Sequence, residues 1–409
     1  MKKGLGILFA TLLFMGGGVK NICSKAESAI ENTTISLETK GVLECIAENA
    51  ATLQTHAKSA YLMDFTTGTV VYSHNETQHL PIASMCKIMT LLLSFEAIDE
   101  GFLSMDEEIC ISERASSMGG SQVFLEANAK YPVRELIKSI VVCSANDSCV
   151  AMAEKIAGNE SAFIDKMNEK AKQLGANDTL FSNCTGLPKD PQYSCAKDVA
   201  IMLKALLTHE EYYEFGKVWM DKFTHPEGRY TEITNTNKLV RFYDGCDGGK
   251  TGFTNQAGFC LAATAKRDNM RVISVVIGEE NSKNRFDDVR TMFDYAFANY
   301  TMKTLVDTDI PLEKQVPVSG GQEKWVSVTP IRKAYAFIKK GEKQNVKIET
   351  NYQIVKAPFE KGKQVGEIVI YKDNVEVDRV PIVTQCAVKK ATLFDRIKDV
   401  AREWNARKK

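Results

Sequence analysis

Histidine is scarce in this chain of 409 residues, at five. None of His56, His74, His79, His209 and His225 stands in a Gly-x-Ser-x-Gly or similar setting, which argues against Ser-His-Asp hydrolysis. No Cys-x-x-Cys pair with partner histidines occurs, so a structural zinc site and a zinc peptidase are both disfavoured. Net charge is lacking as well: 52 basic side chains balance 52 acidic ones. Nucleic-acid binding needs a concentrated basic face, and this composition does not supply one. There is no internal repeat and no long low-complexity segment.

The longest apolar run lies at the N-terminus. Lys2 and Lys3 precede an apolar stretch from Gly4 to Val19, and Ser24-Lys25-Ala26 offers a small-x-small cleavage site. This pattern predicts a signal peptide over residues 1–26 and an exported protein. Cleavage removes Lys2, Lys3, Lys20 and Lys25 and no acid, leaving 48 basic against 52 acidic residues. Cysteine, by contrast, is plentiful at eleven. A domain this large does not need disulfide staples, so buried small apolar side chains are the expected role. Cys184 and Cys195, which flank one loop, are the pair to examine for a bridge.

Hydrophobic periodicity predicts an α+β catalytic domain over residues 27–300. Ser59–Asp64 and Val70–Tyr72 read as a hairpin about Thr66-Thr67-Gly68. Helices are expected at Ser84–Ile98, across Val133–Ala157 with a break, at Ser161–Leu174, at Asp198–Leu207 and at Asp287–Tyr300. Gly258–Ala265 and Met270–Gly278 alternate as strands. Strands at both ends of a helical middle imply one antiparallel sheet carrying helices. Short strands then predict a small all-β domain over 301–386. Residues 389–409 hold eight basic and three acidic residues around Leu393, Phe394, Ile397, Val400, Ala401 and Trp404. Such a stripe predicts an amphipathic helix lying on a membrane surface, or docked on protein, and the charges exclude a spanning helix.

Three short motifs carry the chemistry: Ser84-Met85-Cys86-Lys87, Ser144-Ala145-Asn146 and Lys250-Thr251-Gly252. Ser84 and Lys87, three apart, share one face of a helix. A serine hydroxyl needs a base, and a lysine can serve only if burial or a second cation lowers its pKa. Lys250 can be that cation. Ser144 would relay a proton to the leaving amine, and Asn146 would hold the substrate amide and Lys87. Lys250 and Thr251 offer donors to a carboxylate, and Gly252 lets a substrate backbone approach an edge strand. The N–H groups of Ser84 and Phe253 are the expected oxyanion donors.

With these residues, most of 57–386 resembles the low-molecular-mass penicillin-binding proteins that are D-alanyl-D-alanine carboxypeptidases. Asn235-Thr236-Asn237-Lys238-Leu239, Asp247 to Thr254, Phe163 to Gly175 and Asn183 to Leu187 add to the likeness. The resemblance implies a β-lactamase/DD-peptidase-like fold, a β-rich C-terminal module and a terminal amphipathic anchor. It also implies an acyl-enzyme on Ser84, a carboxylate-holding role for Arg285, and no cofactor or metal. Expected partners are peptidoglycan stem peptides, β-lactam antibiotics as covalent inhibitors, and the outer face of the cytoplasmic membrane through the C-terminal helix. Cys86, between nucleophile and lysine, departs from the pattern and leaves thiol chemistry open there.

Two alternatives share the motifs. A serine β-lactamase of class A would have Ser-Asp-Asn and a loop glutamate for deacylation, but this chain has Ser144-Ala145-Asn146 and no glutamate from Asn183 to Ser194. A non-catalytic penicillin-sensing or wall-binding protein predicts a damaged set, and here every group is intact.

Overall fold

A computed structural model describes residues 53–406, except 311, 313, 314, 343, 344 and 373. The expected signal peptide lies outside the described residues. Five antiparallel strands form the central sheet in the order β2-β1-β9-β8-β7. They are β1 (Ser59–Asp64), β2 (Val70–His74), β7 (Cys246–Thr254), β8 (Gly258–Arg267) and β9 (Met270–Glu279), with two small two-stranded sheets, β3–β4 (Glu108–Cys110, Lys130–Pro132) and β5–β6 (Met220–Thr224, Tyr230–Thr234), between them in the chain. The β1–β2 turn closes on Asp64, whose carboxylate accepts from the Thr67 amide at 2.6 Å and hydroxyl at 2.7 Å. Every residue of β9 is buried, as a strand covered on both faces requires.

The helical middle follows from its caps. α1 (Lys87–Asp99) is buried almost all round and forms the core of the domain. α2 (Val133–Cys143) stops where Ser144 takes the left-handed conformation at φ 67°, and α3 (Asn146–Ala157) starts two residues later. α4 (Glu160–Gln173) begins under an Asn159 cap, and α5 (Ala196–Leu206) packs on β9 and β1. α6 (Ser282–Asn299) packs on β8 and β9.

Two boundaries beside the site differ from the periodicity. Ser84 sits on a tight 3-10 turn, Ala83–Cys86, and the α-helix proper opens only at Lys87. α6 opens five residues before Asp287, because the Asn281 side chain accepts from the amides of Lys283 (3.0 Å) and Asn284 (2.9 Å). Arg285 therefore stands in the first turn of a helix.

The suggested Cys184–Cys195 bridge is absent, and both residues are buried free thiols. Cys86, Cys149, Cys246 and Cys260 are likewise free and buried, as small apolar core residues.

From Tyr300 the chain is β-rich. A four-stranded antiparallel sheet runs in the order Val328–Pro330, Val375–Thr384, Gln364–Lys372, Val346–Tyr352. Its apolar core includes Ile368, Ile370, Val380 and Ile382. Backbone bridges Phe359–Val388 and Gly321–Lys390 continue this module to Lys390. α7 (Leu393–Ala406) follows, opened by Thr392, whose hydroxyl accepts from the Asp395 amide while its own amide donates to the Asp395 carboxylate. Leu393, Phe394 and Ile397 are exposed.

Candidate active site

Ser84 and Lys87 meet as their spacing suggests. Lys87 Nζ donates to Ser84 Oγ at 3.0 Å, to Asn146 Oδ1 at 2.7 Å and to the Thr185 carbonyl at 2.6 Å. The lysine is fully buried, and none of its three acceptors carries a charge. Burial alone therefore pulls its pKa below the ordinary lysine range.

Asn146 opens α3 with its side chain committed at both ends. Its Oδ1 accepts a hydrogen bond from Lys87 Nζ and its Nδ2 donates to the Gly119 carbonyl at 2.7 Å. Ser144, in its left-handed C-cap position, is buried, and its Oγ has no hydrogen-bond partner among the described residues. Positive φ at a serine is a strained choice, and it turns the chain sharply between α2 and α3.

β7 is the edge strand of the sheet and carries the third motif. Lys250 is buried and held below its usual range, to about 7, by burial first and then by repulsion from Lys87, with Arg285 adding to it. Thr251 Oγ1 bonds Thr236 Oγ1 at 2.7 Å. Gly252 lies so close to the nucleophile turn that a Cβ there would come within 2.6 Å of the Ile82 carbonyl and 3.2 Å of the Ser84 nitrogen. The backbone segments bearing the Ser84 and Phe253 N–H groups thus adjoin. Phe253 itself is exposed, its ring 4.3 Å from that of Phe259.

Arg285 reaches back from α6 to the same strand. Its Nη1 donates to the Gly252 carbonyl at 3.3 Å and sits 3.5 Å from the Cys260 carbonyl, while its guanidinium stacks over Phe259 and Phe286. Ser84, Lys87 and Asn146 are thus joined by direct hydrogen bonds, Gly252 abuts the Ser84 turn, and Arg285 reaches the Gly252 carbonyl from behind the strand. The Arg285 guanidinium, with Lys250 when it is protonated, suits an anionic ligand.

Cys86 is fully buried and its thiol donates to the Asn183 carbonyl at 3.2 Å; burial pushes its pKa above the usual thiol range, which opposes thiol chemistry there.

Several contributors had no role assigned from the sequence, although Asn183 to Leu187 added to the family likeness. Thr185 supplies an acceptor to Lys87, and Asn183 holds that loop by accepting from the Thr185 and Gly186 amides. Gly186, at φ 80°, packs where a Cβ would lie 2.0 Å from the Ala83 carbonyl. Tyr212 accepts from the Gly249 amide at 2.8 Å, fixing the strand just before Lys250. Backbone-directed contacts of this kind leave no periodic trace. Among the described residues one trio of possible metal donors, Asp178, Cys195 and Asp198, lies away from this site. Asp198 there is engaged by the Asp178 amide at 2.7 Å and the Thr179 hydroxyl at 2.8 Å.

Comparison with known proteins agrees on one family. A family model described as D-alanyl-D-alanine carboxypeptidase matches residues 46–281, and one described as penicillin-binding protein 5, C-terminal domain, matches 300–390. The D-alanyl-D-alanine carboxypeptidase DacF of Bacillus subtilis is 40% identical over 353 residues, covering 85% of this chain and 90% of its own. Penicillin binding protein 5 from Haemophilus influenzae aligns with a TM-score of 0.66 at 29% identity, over 82% of this chain and 98% of that one. Penicillin-binding protein D2 from Listeria monocytogenes, in its ampicillin-bound form, aligns at 0.54 and 31% identity, over 60% of this chain and 99% of that one.

Proposed function

This chain belongs to the D-alanyl-D-alanine carboxypeptidase family, and on that premise we propose that Ser84 is its nucleophile. It is a serine-type D-Ala-D-Ala carboxypeptidase, an enzyme of cell-wall metabolism whose family binds peptidoglycan peptides and β-lactams. The reaction assigned to the site removes the terminal D-alanine of the pentapeptide stem. Neutral Lys87 takes the proton of Ser84 Oγ, which attacks the carbonyl of the penultimate D-alanine. The oxyanion is met by the N–H groups of Ser84 and Phe253, and Ser144 passes a proton to the departing amine. D-alanine leaves, and water then hydrolyses the ester. Lys250, Thr251 and Arg285 hold the terminal carboxylate, and the Asn146 Nδ2 hydrogen not used on the Gly119 carbonyl is left for the substrate amide. A β-lactam would acylate the same oxygen.

One observation carries this reading: a buried lysine bonded to the serine hydroxyl and to two other neutral acceptors, with no carboxylate to keep it charged. Incubating the protein with a pentapeptide ending in D-Ala-D-Ala should release free D-alanine, and Ser84→Ala should release none.

The export signal over 1–26, the division into a catalytic domain (27–300), a β-rich domain (301–386) and an anchor (389–409), and an extracytoplasmic location at the membrane surface belong to the same proposal. Among the described residues no helix is long and apolar enough to cross a membrane. The exposure of Leu393, Phe394 and Ile397 on α7 supports peripheral attachment over docking on the protein body.

A further inference from the structure

β9 ends at Glu279, whose side chain is buried and whose two carboxyl oxygens bond no donor among the described residues. It faces Asp288 of α6, also buried, within hydrogen-bonding reach. Asp288 is already engaged on both oxygens, by the His56 amide at 2.5 Å and the His56 ring Nδ1 at 2.9 Å. The other titratable neighbours are Glu280, next in the chain, Cys260 on β8, and Lys58, which packs over Gly278. None of them forms an ion pair with Glu279. Two buried carboxyl groups at this range cannot both be charged without a cation between them.

We infer that Glu279 keeps a proton shared with Asp288, and that this carboxyl–carboxylate bridge joins β9 to the first turns of α6 and so positions Arg285. Arg285 stands one helical turn before Asp288 and reaches the Gly252 carbonyl from there. Glu279 touches no substrate and acts only through that helix. Burial, with Asp288 beside it, raises the Glu279 carboxyl to about 8, so the bridge is intact at neutral pH. The unfolded chain binds this proton only below the ordinary glutamate range. The stability it confers is therefore full in acid and is lost progressively as pH rises to about 8.

The test compares wild type with Glu279→Gln, whose carboxamide can donate to Asp288 without titrating. Thermal unfolding from pH 5 to 9.5 should show wild type losing ground to the variant up to about pH 8, with a level difference beyond. A constant difference over the whole range overturns the proton assignment. Should the variant fail to fold, a carboxylic-acid C=O band in infrared spectra of wild type at pH 7, fading above about pH 8, decides the same point. The positioning claim rests on the proposed role of Arg285. It is read from turnover of a substrate with a free terminal carboxylate relative to its C-terminal amide. That preference should fall roughly tenfold above about pH 8 in wild type and hold in Glu279→Gln, while Lys250 titrates in both alike. Equal falls in both proteins overturn it. If Arg285→Ala shows the same preference as wild type at pH 7, the Arg285 assignment fails, and the stability comparison still judges the proton.

Discussion

Lys250 lies within electrostatic reach of Lys87, both amines are buried, and neither forms an ion pair with a carboxylate among the described residues. Two like charges in one dry site are unfavourable, and the fold tolerates them because one amine can give up its proton. This is the arrangement that lysine-activated serine chemistry needs.

Stability should therefore rise when the arrangement is removed. Lys250→Met is expected to abolish turnover yet stabilise the fold by on the order of 1–3 kcal/mol at pH 7. Lys250 has a depressed pKa, so its cost to folding is full below about 7 and disappears as pH rises towards the ordinary lysine range. The advantage of the methionine variant should shrink over that window. Calorimetric melting of both proteins at pH 6.5 and pH 10 checks this, and a gap that widens with pH contradicts it.

Lys87→Arg retains a positive charge that cannot be surrendered near neutrality. Acylation by a fluorescent penicillin should slow by about 10³-fold or more while the protein still melts cooperatively. Loss of the thermal transition together with labelling would mean that Lys87 is there to hold Asn146 and the Thr185 loop, and not to move a proton.

Arg285→Ala removes the guanidinium from behind Gly252. Substrates with a free terminal carboxylate should lose about 1.5–3 kcal/mol of transition-state binding, and C-terminally amidated ones much less. Steady-state kcat/KM on the matched pair measures this, and equal losses remove Arg285 from the substrate site.

Truncation before Lys389 removes eight basic and three acidic residues and the exposed apolar residues of α7. Burial of each large side chain contributes about 1–2 kcal/mol at most, so binding to anionic vesicles should be reversible and salt-sensitive. The truncated protein should stay in the supernatant on vesicle sedimentation, with turnover of a soluble peptide unchanged. Sedimentation with the vesicles, or a fall in that turnover, argues for a helix packed on the body.

Much of this site was legible because its residues come as local patterns. A serine and lysine three apart, a helix broken by Ser144-Ala145-Asn146, and Lys-Thr-Gly before an apolar hairpin each announce their own setting. The strands from Ser59, Gly258 and Met270 were likewise clear from alternation and turn residues. The tight turn under Ser84 was hidden because the periodic residues from Ile88 onward extend smoothly back through it. The early start of α6 depends on one asparagine cap, a weaker signal than the apolar stripe that follows. Asn183 and Thr185 lie in a stretch whose likeness to the family was legible without their roles, while Tyr212 and the Glu279–Asp288 pair act through contacts between residues distant in sequence, which no local pattern encodes.

The central claim is that Ser84 Oγ is the acyl-accepting atom, and peptide mapping of the penicillin-labelled protein by mass spectrometry tests it most directly. The account predicts a single added penicilloyl mass on the peptide containing Ser84, absent in Ser84→Ala. A full adduct on another residue, or labelling that survives Ser84→Ala, would contradict it.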